Sequence, residues 1–113
     1  IASGSLHGEI AAILAANDLA HAIAVVVGAD DVLRSKPAPD AYAAAVDALG
    51  VPASRAVAIE DSRWGLASAR TAGLRTIGVT TSHPASVLDQ ADVIVRGLDD
   101  VTADLVDSLL GLE

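Results

Sequence analysis

The sequence predicts an α/β fold in which a parallel sheet carries helices on both faces. Short, nearly all-apolar β-branched runs recur along the chain, as strands buried on both sides require. Stretches with helical spacing alternate with them, and glycine, proline and serine punctuate the junctions.

Ile1-Ala2 reads as the end of a strand, so Ser3-Gly4-Ser5 occupies a strand-to-helix turn. Leu6, Ile10, Ile13 and Leu14 recur at i, i+4, i+7 and i+8, the stripe of an amphipathic helix running to about Asn17. Ile23-Ala24-Val25-Val26-Val27 is apolar throughout and predicts a covered strand, and residues 28–39 a polar loop. From Pro39, a residue suited to a first helical turn, Tyr42, Val46 and Leu49 mark a helix stopped by Gly50. Ala56-Val57-Ala58-Ile59 is the next buried strand and runs directly into Glu60-Asp61. Ser62 can cap a helix that carries Trp64, Leu66 and Ala69 and ends at Gly73. Residues 74–79 predict a strand, 84–90 a short helix, Val93-Ile94-Val95 a strand, and 102–110 a closing helix before Gly111.

With 113 residues, 52% of them apolar, the chain suits one small domain. Alanine, valine, leucine and isoleucine supply the apolar content; Trp64 and Tyr42 are the only aromatics. A formal net charge of −8 argues against nucleic acid and against an anionic membrane surface as partners. No apolar stretch is long enough to span a bilayer, and the absence of cysteine excludes disulfides and thiolate metal sites. The expected setting is cytoplasmic. The chain has no methionine and begins with Ile1, inside a strand by this reading, so it is expected to be a fragment of something longer.

In parallel sheets, ligands bind outside the carboxyl ends of the strands, and three features stand there. Ser3-Gly4-Ser5 offers backbone N–H groups and two hydroxyls, a phosphate cradle or a simple helix cap. Lys36, the only lysine, sits before Pro37-Ala38-Pro39-Asp40, either as a fixed ammonium for a phosphoryl group or as a solvated loop residue. Glu60-Asp61 follows an apolar strand, as hard oxygen ligands suited to Mg²⁺ or as an exposed acidic turn with Asp61 or Ser62 as cap. His7, His21 and His83 lack ligand spacing and read as surface or helix-cap residues. Asp30-Asp31 reads as an acidic loop, Asp99-Asp100 with Asp104 and Asp107 as a helix start plus a solvated face, and Trp64 as a core or lid contact.

Taken together, Ile-Ala-Ser-Gly-Ser at 1–5, Lys36-Pro37-Ala38-Pro39-Asp40 and Ile59-Glu60-Asp61-Ser62 resemble, in order, the second, third and fourth motifs of the haloacid dehalogenase-like (HAD-like) superfamily. The resemblance extends through Gly65, Ala69, Ala72-Gly73-Leu74 and Ile77-Gly78-Val79, and points to the small-molecule phosphatases and phosphomutases. It implies a Rossmann-like sheet and an Mg²⁺-dependent reaction on a small-molecule phosphate monoester through an aspartyl-phosphate intermediate. Ser3 would hydrogen-bond the transferring phosphoryl group, with Gly4 and Ser5 in the same cradle; Lys36 would neutralise it; Glu60 and Asp61 would hold Mg²⁺.

The family's nucleophile and general acid/base come from an Asp-x-Asp motif on its central first strand, and this sequence has none. By the resemblance, residues 1–113 are the C-terminal portion of one core domain, with the first strand and the cap domain missing. Alone, the chain is expected to be inactive. A second chain or an N-terminal segment would supply Asp-x-Asp, or the open edge would drive self-association. Other readings are a non-catalytic Mg²⁺- and phosphate-binding or interaction module, a receiver-type signalling domain and a 2-haloacid dehalogenase. The receiver reading conflicts with Lys36-Pro37 preceding Glu60-Asp61, and the dehalogenase needs no Mg²⁺.

Overall fold

In a computed structural model that describes residues 1–112, α1 (His7–Ala16) and α2 (Asp40–Leu49) precede β1 (Val57–Glu60). Then follow α3 (Arg63–Ala72), β2 (Arg75–Val79), β3 (Val93–Val95) and α4 (Ala103–Leu110). The strands form a parallel sheet in the order β1-β2-β3, with Ile59 opposite Ile77 and Gly78 opposite Ile94. Among the described residues no helix is long and apolar enough to cross a membrane.

Strand periodicity sends alternate side chains to opposite faces, and this places the helices. Ala58 packs with Tyr42 and Val46 of α2, Ala69 of α3 and Leu74, so α2 and α3 cover one face of β1. Arg75 belongs to the other face, where its Nε donates to Leu109 O of α4. Ile77, on that same face, is fully buried, whereas Ile59 beside it in register stays 42% exposed. The sheet is therefore well covered along β2 and open at β1.

Local signals set the helix ends. The Ser62 hydroxyl accepts the Gly65 N–H at 3.1 Å, and Thr102 does the same for Leu105 at 3.2 Å, each satisfying a free donor of a first turn. Gly50 and Gly73 close α2 and α3 at φ +70° and +94°, a conformation that L side chains rarely adopt.

Two expected elements are replaced. Residues 23–27 form no regular strand: they bend at Ala24 and make one isolated parallel bridge, Ala2 to Val27. Residues 84–90 hold a single 3-10 turn, Ala85–Val87, instead of a helix. Leu88, fully buried, anchors that segment. In α1 the expected stripe is narrower: Ile10 and Leu14 are buried, while Leu6 precedes the helix and Ile13 faces out at 62% exposure.

Candidate active site

The carboxyl ends of β1 and of residues 1–3 face each other across an open cavity of about 620 Å³. Its walls include Ser3, Gly4, Lys36, Glu60 and Asp61, so the motif residues meet at one place; Ser5 lies outside the lining.

Backbone pairing explains why the cavity is open. Val27 donates to Ile1 O at 2.8 Å and accepts from Ser3 N at 2.9 Å, which turns the backbone groups of Ala2 the other way. On the opposite wall Arg75 N–H donates to Ala56 O at 3.1 Å. A parallel ladder alternates, so Ala58 and Glu60 also pair with β2 while the N–H and C=O groups of Val57 and Ile59 point away from it, toward the cavity. Two strand edges thus border a space with no backbone ladder between them.

Lys36 bridges that space. Its Nζ donates to Ala2 O at 3.0 Å on one wall and to Glu60 Oε1 at 2.6 Å on the other, and lies 4.9 Å from the centre of the Tyr42 ring. The Tyr42 hydroxyl donates to the same Glu60 oxygen at 2.5 Å. Glu60 is buried, and a carboxylate in that position is costly unless paired and hydrogen-bonded; Lys36 and Tyr42 meet both needs. Burial, and then the Glu60 charge, push the Tyr42 phenol well above its ordinary value, so it remains a donor. The Glu60 carboxylate also packs directly on Gly65 in the first turn of α3.

Asp61 lies just past the end of β1 and takes a different partner. Its Oδ2 accepts from the Ser82 hydroxyl at 2.8 Å, in the loop beyond β2. The two acids are therefore unequal: Glu60 is engaged by Lys36 and Tyr42, and Asp61 presents its carboxylate at the end of the strand. Among the described residues no group of three or more His, Cys, Asp or Glu side chains could hold a metal ion. Ser3 accepts the Ser5 N–H through its Oγ at 3.1 Å, a tight turn that leaves the Ser3 O–H available as a donor.

Sequence reasoning missed Tyr42 and Ser82. A lone tyrosine in the first turns of a helix facing a buried strand signals a hydroxyl that needs a partner, and that could have found Tyr42. Trp64 is neither in the core nor in the cavity wall: it is 54% exposed, with the Arg63 guanidinium 4.6 Å from its ring centre. Asp30 and Asp31 both bond to His7, so they are more than a solvated loop.

Residues 1–79 match the family of haloacid dehalogenase-like hydrolases. The chain is 43% identical over 77 residues to validoxylamine A 7'-phosphate phosphatase of Streptomyces hygroscopicus subsp. limoneus, covering 68% of this chain and 36% of that protein. It is 33% identical over 95 residues to phosphoglycolate phosphatase of Escherichia coli K12, covering 81% and 38% respectively. The solved structure of CbbY from Rhodobacter sphaeroides in complex with xylulose-1,5-bisphosphate superposes with a TM-score of 0.77 at 33% identity, over 88% of this chain and 46% of that one. The chain spans under half the length of each of these three proteins. The match over residues 1–79, with motifs that the fold gathers around one cavity, places this chain in the haloacid dehalogenase-like hydrolase family.

Proposed function

We propose that this chain supplies the phosphate clamp and part of the metal site of an Mg²⁺-dependent phosphatase or phosphomutase acting on small phosphate monoesters. The observation that carries the reading is the position of Lys36: its ammonium is held at the carboxyl end of an open strand slot, between Ser3-Gly4 and Glu60-Asp61. Relatives named for the phosphate esters validoxylamine A 7'-phosphate and phosphoglycolate support the substrate class.

Each residue acts electrostatically. Lys36 neutralises the charge spread over phosphoryl oxygens, and because Glu60 and Ala2 O already fix it, it needs no rearrangement as that charge develops. Ser3 donates its hydroxyl, and Gly4, exposed in the turn, lets a phosphoryl oxygen approach the backbone closely. Glu60 orients Lys36. The oxygen donor of Asp61 suits Mg²⁺, which commonly takes one or two protein carboxylates and completes its shell with water and substrate phosphate. When bound, Mg²⁺ would polarise the phosphoryl group as a Lewis acid.

The nucleophilic aspartate comes from outside this sequence. An extended segment in the slot would pair with Ala2 on one side and with Val57 and Ile59 on the other, and its carboxyl end would arrive beside Lys36 and Asp61. The supplier is a preceding segment or a second chain. Without it the chain binds and does not turn over. A cytoplasmic setting belongs to the same reading.

A denaturing intact-mass spectrum of the purified protein, read together with phosphate release from a panel of monoesters, tests this. A heavier parent or a second polypeptide carrying Asp-x-Asp, with Mg²⁺-dependent release, is expected. Release that is unchanged by Lys36→Ala and by Asp61→Asn overturns the site.

A further inference from the structure

Outside the cavity, one polar cluster stands on the chain just behind the Ser3-Gly4-Ser5 turn. Asp31 Oδ2 accepts from Gly28 N–H at 2.8 Å and lies 2.6 Å from His7 Nδ1. Asp30 Oδ1 accepts the His7 backbone N–H at 2.8 Å, and Ser5 O accepts Ala29 N–H at 2.8 Å. The Gly28–Asp31 bond closes the loop at 28–31 on itself, and the other three tie that loop to Ser5 and to His7 at the start of α1.

Two further observations bear on the spacing between them. At Gly28 an added Cβ would collide with the His7 backbone and with Asp30 Oδ1, so glycine permits the close approach. A cavity of about 150 Å³ is lined by Ser3, Gly4, Ala29, Val32 and Lys36, so the turn and the loop are not packed solidly against each other there. His7 is the first residue of α1 and Asp31 the last of a 3-10 turn, both exposed enough that apolar burial holds neither.

We infer that Asp31 and His7 are positioning residues: they clasp the loop at 28–31 to the start of α1 and so hold the Ser3-Gly4-Ser5 turn in the shape that meets a phosphoryl oxygen. The link runs from Asp31 through Gly28 and Ala29 to Ser5 O, and from His7 along the backbone to the same turn. This inference rests on the phosphate reading of that turn, but the clasp can be tested without it.

The test uses the 15N-labelled 113-residue chain and the variants Asp31→Ala, His7→Ala and His7→Asn. Amide exchange is followed at Ser3 and Ala29, whose bonds to Val27 O and Ser5 O belong to the turn and not to the substituted side chains. Inorganic phosphate is then titrated against the Gly4 and Ser5 amide signals. In both alanine variants, exchange at Ala29 should rise about tenfold and phosphate affinity should fall about tenfold, as the loss of one charge-assisted hydrogen bond implies. His7→Asn, which keeps a donor near the Nδ1 position, should restore both; a site that only contributed bulk would not be rescued selectively. Unchanged exchange at Ser3 and Ala29 in both alanine variants overturns the clasp. If exchange responds as expected but phosphate moves neither Gly4 nor Ser5 in the parent chain, the clasp stands as the support of the turn and the phosphate reading falls.

Discussion

The carboxylate of Glu60 occupies the space that a side chain on Gly65 would need. Gly65 opens no turn and has an ordinary helical backbone; it is required because a buried charge packs on its α-carbon. Gly65→Ala should therefore displace Glu60 from Lys36 and Tyr42. The expected loss is about 1–3 kcal/mol, the usual cost of overpacking. It would be read as a lower midpoint in urea at unchanged slope, against an unchanged midpoint for Gly97→Ala, where nothing lies within reach of a Cβ.

Tyr42→Phe keeps the ring under the Lys36 ammonium and removes only the donor to Glu60. A hydrogen bond to a charged group contributes about 1.5–3 kcal/mol, so a loss of that order is expected in the same unfolding measurement. The phenol also makes a pH prediction. Its folded value lies above the ordinary 10.0, so its contribution is fully present below pH 10.0 and is lost as pH rises beyond it. Phenolate absorbance should stay absent past that point and appear together with the loss of helical signal. A reversible phenolate band near the ordinary value, with the fold intact, would contradict the placement.

Asp31 works in the opposite direction. The Gly28 N–H and then His7 hold its carboxyl below the ordinary 3.8, with Asp30 as the neighbouring acid on the same loop. The clasp is thus fully formed above the ordinary value and is lost as pH falls through the depressed one. Asp31 carboxyl shifts followed by NMR should titrate below the ordinary 3.8, and the Gly28 amide should move with them.

Along β1, exchange protection should alternate. The Ala58 and Glu60 amides face β2 and should exchange slowly, whereas Val57 and Ile59 face the slot and should exchange fast. Filling the slot would slow Val57 and Ile59 alone. Uniform protection in the 113-residue chain would mean that the edge is already paired.

On the proposed phosphatase reading, Lys36→Ala in the assembled protein should lower phosphate release by about 100-fold or more, the usual loss when a preorganised transition-state donor is removed. It also leaves Glu60 buried with Tyr42 alone, a stability cost of about 3–5 kcal/mol. Lys36→Arg keeps the charge but not the compact ammonium that reaches both walls, so it should rescue stability more than turnover.

The parts of this fold that the sequence made legible are those set by neighbours in the chain. The Ser62 cap, the glycine stops at Gly50 and Gly73, and the strand ending on Glu60 are local signals, and the structure has them. Residues 23–27 carry a strand pattern, but a strand also needs a partner of matching length, and pairing is not written in periodicity. At the site, Glu60-Asp61 looks like a matched pair of ligands because the residues adjoin. Their side chains take different partners, and a period of two applied along β1 would have assigned Glu60 to the buried Ala58 face. His7 and Asp31 are 24 positions apart and carry no motif, so their meeting came only from the path of the loop.

Because one ammonium touches Ala2 on one wall and Glu60 on the other, the width of the slot is measured by the reach of a lysine side chain. On the proposed reading, a segment entering that space is gauged at its carboxyl end by the group assigned to the phosphoryl oxygens, and a segment seated out of step would disturb Lys36 itself. Correct assembly and correct electrostatics then share one gauge, so a misregistered complex would be built without a working charge.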